Sequence, residues 1–214
     1  MPMDNKLNTD NIYEILKNRI IQLEYDPGQI LNEVDIAEEF GTSRTPIRRV
    51  FQLLQNDKLL NIIPRFGAQV APIDFKQMKH VFEVTRKLDS FATKLAAERI
   101  SDDEIKELEV IIERLNNYDI KKDYQKAIMD DERFHEIISS SCGNPWLQDI
   151  LRSLHYHTER LWHYSEQYFD DISLFTFTLG KVLEAIKEKD SEKAEMYALE
   201  HIDDFVLKIK SVML

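Results

Sequence analysis

A chain of 214 residues is long enough for one large domain or two modest ones, and 43% apolar residues can fill real cores. Only 5 Gly and 6 Pro against 31% charged residues argue for an ordered, mainly helical protein. No apolar run approaches the roughly 20 residues of a membrane span, and the single cysteine, Cys142, excludes an intrachain disulfide and fits a buried thiol in a reducing cytoplasm. The polar stretch Met1 to Asp10 carries no secretory pattern.

The net charge of −11 argues against nucleic acid only if it is spread evenly. Residues 1–73 hold 8 Lys/Arg against 10 Asp/Glu, and the remainder holds 20 against 29. The acid therefore sits in the second part. Screening confines a charge's reach to about 10 Å at ordinary salt, so a small basic tip on an acidic body remains compatible with DNA.

In chain order, Asn11 to Leu23 carries Ile12, Ile15, Leu16, Ile20 and Leu23 at helical spacing. Asp26-Pro27-Gly28 turns the chain. Asn32 can cap a second helix with Val34, Ile36, Ala37 and Phe40, and Gly41 stands at its C-terminal end. Ser43 is placed to cap a third helix, with Pro46 in its first turn. The row Ile47, Val50, Phe51, Leu54 faces a core and leaves Arg44, Arg48 and Arg49 outside. Guanidinium groups at the start of an exposed helix suit phosphates and base edges. Next, Leu59–Ile63 and Ala68–Ala71 read as two strands around Pro64-Arg65-Phe66-Gly67, a hairpin with a basic tip at Arg65. Helix, helix, Arg-bearing helix and hairpin make a winged helix-turn-helix over residues 1–73.

From residue 74 to 214 the pattern is an antiparallel bundle of about six helices. Asp74 begins one to about Glu98, with Met78, Phe82, Leu88, Ala92 and Leu95 inward. Ser101 and Glu104 form a capping box before Ile105, Leu108, Ile111, Ile112 and Leu115. A third helix runs from about Lys122 to Ser140. A fourth follows Asn144-Pro145 with Leu147, Ile150, Leu151, Leu154 and Leu161. Two more cover about Ser173–Glu188 and Ser191–Val212.

Polar residues interrupt three of these inward rows. They are Asp131 and His135 on the third helix, His157 on the fourth and His201 on the last. His80, His155 and His163 show no inward preference. Buried Asp and His need partners or a metal. A carboxylate with imidazoles suits Zn, Ni or Mn, and a structural Asp131–His135 pair with isolated core histidines fits the spacing equally.

Several stretches carry a resemblance. They are Pro27-Gly28, Ile36-Ala37, Gly41, Ser43-Arg44-Thr45-Pro46-Ile47-Arg48, Leu53-Leu54 and Pro64-Arg65-Phe66-Gly67. Over residues 11–72 the chain resembles the winged helix of the GntR family of bacterial transcription regulators. The resemblance implies DNA contacts at Arg44, Thr45, Arg48 and the wing around Arg65 and Gly67. With Ser43 and Arg49 these are the expected DNA-facing residues. The family usually has Glu where this chain has Arg49, which adds charge at the DNA face or replaces an internal ion pair. The second part, through Arg86-Lys87-Leu88-Asp89, Asp131-Glu132-Arg133-Phe134-His135, Asn144-Pro145, Ala185-Ile186, Asp190 and His201, resembles the FCD effector domain of the FadR subfamily.

That resemblance implies a homodimer on operator DNA and a small carboxylate effector met by Arg86 or Arg160. It also implies a divalent metal on one Asp and three His. Asp131, His135 and His201 match three of these ligands, and the fourth falls on Leu179. Three protein ligands with water or effector, substitution by His157, or no metal all remain open. A metal-dependent hydrolase on Asp131, His135 and His201, or a sensor of the ion itself, are the alternative functions.

Overall fold

The computed structural model describes residues 8–168 and 173–213, so most of the polar start of the chain lies outside the described residues, as does the side chain of Phe175. The chain divides into two compact units, Met1–Asp74 and Phe75–Leu214.

In the first unit α1 spans Thr9–Ile21. It begins two residues before the expected Asn11 because Asn8 is its cap, its Oδ1 accepting from Asn11 N–H at 2.7 Å. It stops before Leu23, whose φ of +58° leaves the helical region. α2 (Glu33–Glu39) starts at Asn32, whose Oδ1 accepts from Val34 N–H at 2.8 Å. Gly41, at φ +59°, closes it: Thr42 N–H reaches Ala37 O at 2.9 Å and Gly41 N–H reaches Glu38 O at 3.1 Å. Those two bonds satisfy carbonyls that the helix end leaves over.

α3 covers Arg44–Asn56, and Ile47, Val50, Phe51 and Leu54 are buried as expected. Ser43 holds the cap position, yet its hydroxyl makes no cap hydrogen bond, contrary to the sequence expectation. Pro46 removes one of the two donors such a cap can use. A capping hydroxyl accepts from the second or third helical N–H, and the third here belongs to a proline that has none.

β2 (Leu60–Ile63) and β3 (Gly67–Val70) form the expected hairpin, with Leu60 opposite Val70. The sheet has a third strand that the hairpin reading lacked. β1 (Ile30–Leu31) lies antiparallel on the other side of β3, pairing Ile30 with Gln69 and Leu31 with Ala68. Leu31, Leu60, Ala68 and Val70 join Ile12, Leu16 and Ile20 of α1 in the core. Each buried Leu, Ile or Val side chain among these stabilises by about 1.5–3 kcal/mol.

The second unit contains α4 (Phe75–Arg99), α5 (Asp102–Asn117), α6 (Ile120–Ser141), α7 (Pro145–Ser165), α8 (Ser173–Lys187) and α9 (Ser191–Met213), with a short 3-10 turn at Glu166–Tyr168. α4 and α9 run antiparallel: Arg86 Nη2 meets Asp203 Oδ2 at 2.5 Å, and Lys94 Nζ meets Glu195 Oε2 at 3.0 Å. The capping box of α5 is present in full. α6 carries a kink at Asp123 (φ −116°, ψ 15°). α7 is capped by Asn144 with Pro145 in its first turn. Its inward row holds Leu147, Leu151 and Leu161, whereas Ile150 is exposed, a correction to the expected row. Ile150 sits 100° around the helix from Leu151, which takes the core place. Cys142 is fully buried beside Ala92, Leu147 and Leu151.

Candidate functional site

Two sites follow from these elements, one in each unit. In the first unit, Glu33 at the start of α2 faces the opening turns of α3. Arg48 Nε donates to both carboxylate oxygens of Glu33 at 2.9 and 2.8 Å, and Arg44 Nη2 donates to Oε2 at 3.0 Å. Partial burial raises the Glu33 pKa, but the hydrogen bonds from Arg48 and Arg44 outweigh it and the net movement is downward. One half-buried carboxylate thus holds two exposed guanidinium groups side by side. A cleft between them and the wing is lined by Gln52 and by Pro64, Arg65, Phe66 and Gly67.

Thr45 and Arg49 are exposed on the same helix start, and no ion pair to Arg49 is present among the described residues. The wing tip is strained: Arg65 has φ +72°, and Phe66 is 70% exposed. Gly67 has a backbone reason to be glycine. At φ +118° an added Cβ would lie 2.2 Å from Leu31 O, inside the contact with β1.

In the second unit, α4, α6, α7 and α9 enclose a cavity of about 50 Å³. Asp131, His135 and His201 each place a ligating atom within 4.8 Å of the others. His201 Nε2 lies 3.8 Å from Asp131 Oδ1, and His135 Nε2 lies 3.9 Å from Asp131 Oδ2. Burial depresses His135 to about 4 and, helped by His135, His201 to about 3, so both rings are neutral near pH 7. His201 Nδ1 is 2.8 Å from Thr178 Oγ1. With Nδ1–H donating there, Nε2 offers its lone pair to the cavity. Asp131 Oδ1 is buried without a hydrogen bond. Two neutral imidazoles and an unpartnered carboxylate oxygen fit a divalent cation.

Burial, with repulsion from Glu159 behind it, pushes Asp131 up to about 7 and Glu132 to about 8.

Sequence reasoning missed two lining residues, Asp89 and His155, which form an ion pair with Nε2 2.9 Å from Oδ1. The sequence spacing gives His155 no inward preference and places His157 in the inward row. The structure puts His155 on the cavity, while His157 is half-buried and outside its lining. Two residues on a helix differ by 200°, so only one of them faces the space. The signal that could have found the pair is Asp89 itself, a carboxylate in the inward row of α4.

Arg86 and Arg160 do not line the cavity. Arg86 is committed to Asp203, and Arg160 is buried elsewhere, where burial lowers its pKa to about 10. Leu179 is buried at 1% exposure and is not among the lining residues. Its neighbour on α8, Thr178, is the residue that hydrogen-bonds His201 among the described residues.

Residues 8–70 match the GntR family of bacterial regulatory proteins and residues 80–204 match the FCD domain. The galactonate operon transcriptional repressor of Escherichia coli (strain K12) is 29% identical, over 95% of this chain and 97% of its own length. The gluconate operon transcriptional repressor of Bacillus subtilis (strain 168) is 24% identical, over 93% of this chain and 84% of its own. Among solved structures, McbR/YncC of Escherichia coli superposes with a TM-score of 0.81 at 21% identity, covering 95% of this chain and 97% of that one. The chain therefore belongs to the GntR family of bacterial transcription regulators, in the branch that joins a winged helix to an FCD domain.

Proposed function

We propose that this regulator binds operator DNA as a homodimer through Arg44, Thr45, Arg48, Arg49 and the wing around Arg65 and Gly67, and releases or tightens it when a small molecule enters the bundle cavity. The observation that carries the reading is the Glu33 clamp, which gathers Arg44 and Arg48 on one carboxylate at the start of α3. Fork-shaped donors fixed in direction suit the paired acceptors of a guanine edge or a phosphate. Two such helices, related by a two-fold axis, would enter successive major grooves of a near-palindromic site.

The cavity is the sensing part of this reading. A ligand that fits one arrangement of the dimer better than another shifts the population of DNA-competent protein. Asp131, His135 and His201 would hold a divalent ion of the Zn, Ni or Mn type, which would supply positive charge inside the bundle. A carboxylate effector, the class implied by the resemblance, would have to meet that ion, since Arg86 and Arg160 stand outside the lining. Binding of the full-length protein to the DNA upstream of its own gene, followed by fluorescence anisotropy, tests the reading. Sequence-specific binding that changes on adding cell metabolites supports it, and equal affinity for unrelated DNA overturns it.

A further inference from the structure

The wing tip holds an apolar side chain in water on a backbone fixed from both sides. Ile63, Pro64, Arg65 and Phe66 make a four-residue turn, closed by Phe66 N–H donating to Ile63 O at 3.1 Å. The ring of Pro64 sets φ at about −65°, which excludes the mirror-image hairpin turns that need a positive φ at that place. Arg65 follows at φ +72°. Proline second and a positive φ third define a type II turn, whose third place belongs by preference to glycine. An L side chain there costs free energy. After the turn, Gly67 at φ +118° lies so close to Leu31 O of β1 that a Cβ would not fit. Phe66 is thus held between two positive-φ residues, and it is still 70% exposed.

Strained backbone persists where the surrounding structure imposes it, and it gathers at places that bind. The Phe66 ring has no donor and no charge to offer a phosphate. Its flat apolar faces suit the faces of bases. A cleft of about 420 Å³ separates Arg44, Arg48 and Gln52 of α3 from Arg65 and Phe66 of the wing. A sugar–phosphate strand passing through that cleft would have its major groove against α3 and its minor groove against the wing tip. Arg65 belongs on the minor-groove side, whose negative potential draws guanidinium groups in.

We propose, resting on the reading of α3 and the wing as the DNA-binding face, that Phe66 is a wedge: as α3 seats in the major groove, the wing presses this ring from the minor-groove side between two stacked base pairs. The duplex bends there, and the operator is selected for a step that opens easily. Apolar side chains presented to the minor groove unstack a step and kink the duplex toward the major groove. Pyrimidine–purine steps such as TA and CA yield most readily, so sequence is read through stiffness where no hydrogen bond to a base is made. Arg65 brings the tip in by charge, and Phe66 sets the step preference. In the two-fold complex each wing opens one such step.

The test uses the full chain and the segment of DNA upstream of its own gene that it protects from cleavage. The fluorescent base 2-aminopurine replaces adenine at each step across that segment in turn, and donor and acceptor dyes at the duplex ends report the bend. With the parent protein, 2-aminopurine emission should rise at the opened step, and energy transfer between the ends should increase. Phe66→Ala should abolish both changes and weaken binding about fivefold or more. Phe66→Leu, still an apolar wedge, should keep most of the bend. Replacing the opened step by AA should weaken the parent and leave F66A nearly unchanged. The salt slope of F66A should equal the parent's, since no phosphate contact is lost. Melting curves show separately that each variant is folded. No 2-aminopurine rise or bend with the parent, F66A binding and bending as the parent does, equal sensitivity of both proteins to the AA replacement, or a reduced salt slope in F66A would each overturn the wedge. Arg44→Ala, measured in parallel, separates this failure from failure of the regulator reading. Selective binding that R44A weakens and F66A leaves alone sinks only the wedge, and a parent that binds all DNA alike sinks both.

Discussion

His155 Nε2 stands 2.9 and 3.1 Å from the two carboxylate oxygens of Asp89, tying α7 to α4 across the wall of the cavity. Burial opposes charge on both partners. Asp89 still stays below its ordinary value because His155 faces it, and His155 stays above its own because Asp89 does. The pair reaches across 66 positions of sequence and closes the imidazole end of the space.

This pair predicts a pH-dependent stability. The raised His155 contributes fully below 6.5, and its share is lost as pH rises through its elevated value. The lowered Asp89 contributes fully above 3.8, and its share is lost as pH falls through its depressed value. The window of full contribution therefore lies between these limits. Asp89→Asn should cost about 3 kcal/mol at pH 6, near the low end for breaking a buried pair because His155 can shed its proton. At pH 9 the cost should be clearly smaller. Chemical denaturation at both pH values checks this; equal losses would mean the pair is not charged in the folded protein.

Glu132 gives the opposite sign. Its value is pushed up to about 8 from an ordinary 4.5, so the folded state pays increasingly as pH rises through that interval. Glu132→Gln should raise Tm more at pH 9 than at pH 5. A uniform change across pH would show that the carboxyl is solvated rather than buried.

In the winged helix, Arg44→Ala and Arg48→Ala should each weaken operator binding by roughly 1–3 kcal/mol if the side chains read bases. Glu33→Gln should spare affinity for unrelated DNA while lowering the ratio of operator to unrelated binding, because the two guanidinium groups lose their shared anchor. An unchanged ratio would separate the clamp from specificity. Arg49→Ala should reduce the salt slope of binding by about one; an unaltered slope would place Arg49 away from phosphates.

Zinc added to chelator-treated protein should stabilise it by about 2.7 kcal/mol at a hundredfold excess over Kd. His135→Gln and His201→Gln should remove that gain. A zinc-induced rise in Tm that survives both substitutions would put the ion elsewhere.

Local chemistry carried most of the fold into the sequence. Gly41, the Ser101–Glu104 box and Asn144-Pro145 mark helix ends by hydrogen bonds within a few residues, and those ends stand where the residues put them. What stayed hidden depends on distant partners. β1 is two residues long and exists only because β3 lies beside it, and the same proximity dictates Gly67. The histidine cluster was legible on α6 and α9, where apolar neighbours set the inward row. It was misread on α7, whose polar residues from His155 to Arg160 blur the row. The double clamp on Glu33 joins two helices and has no local signature.

The most direct measurement is the affinity of the full-length protein for the DNA upstream of its own gene, compared among the parent protein, R44A and R48A at one salt concentration. The regulator reading predicts tight, sequence-selective binding by the parent and a loss of about fivefold or more in each variant. Parent and variants binding operator and random DNA alike would contradict it.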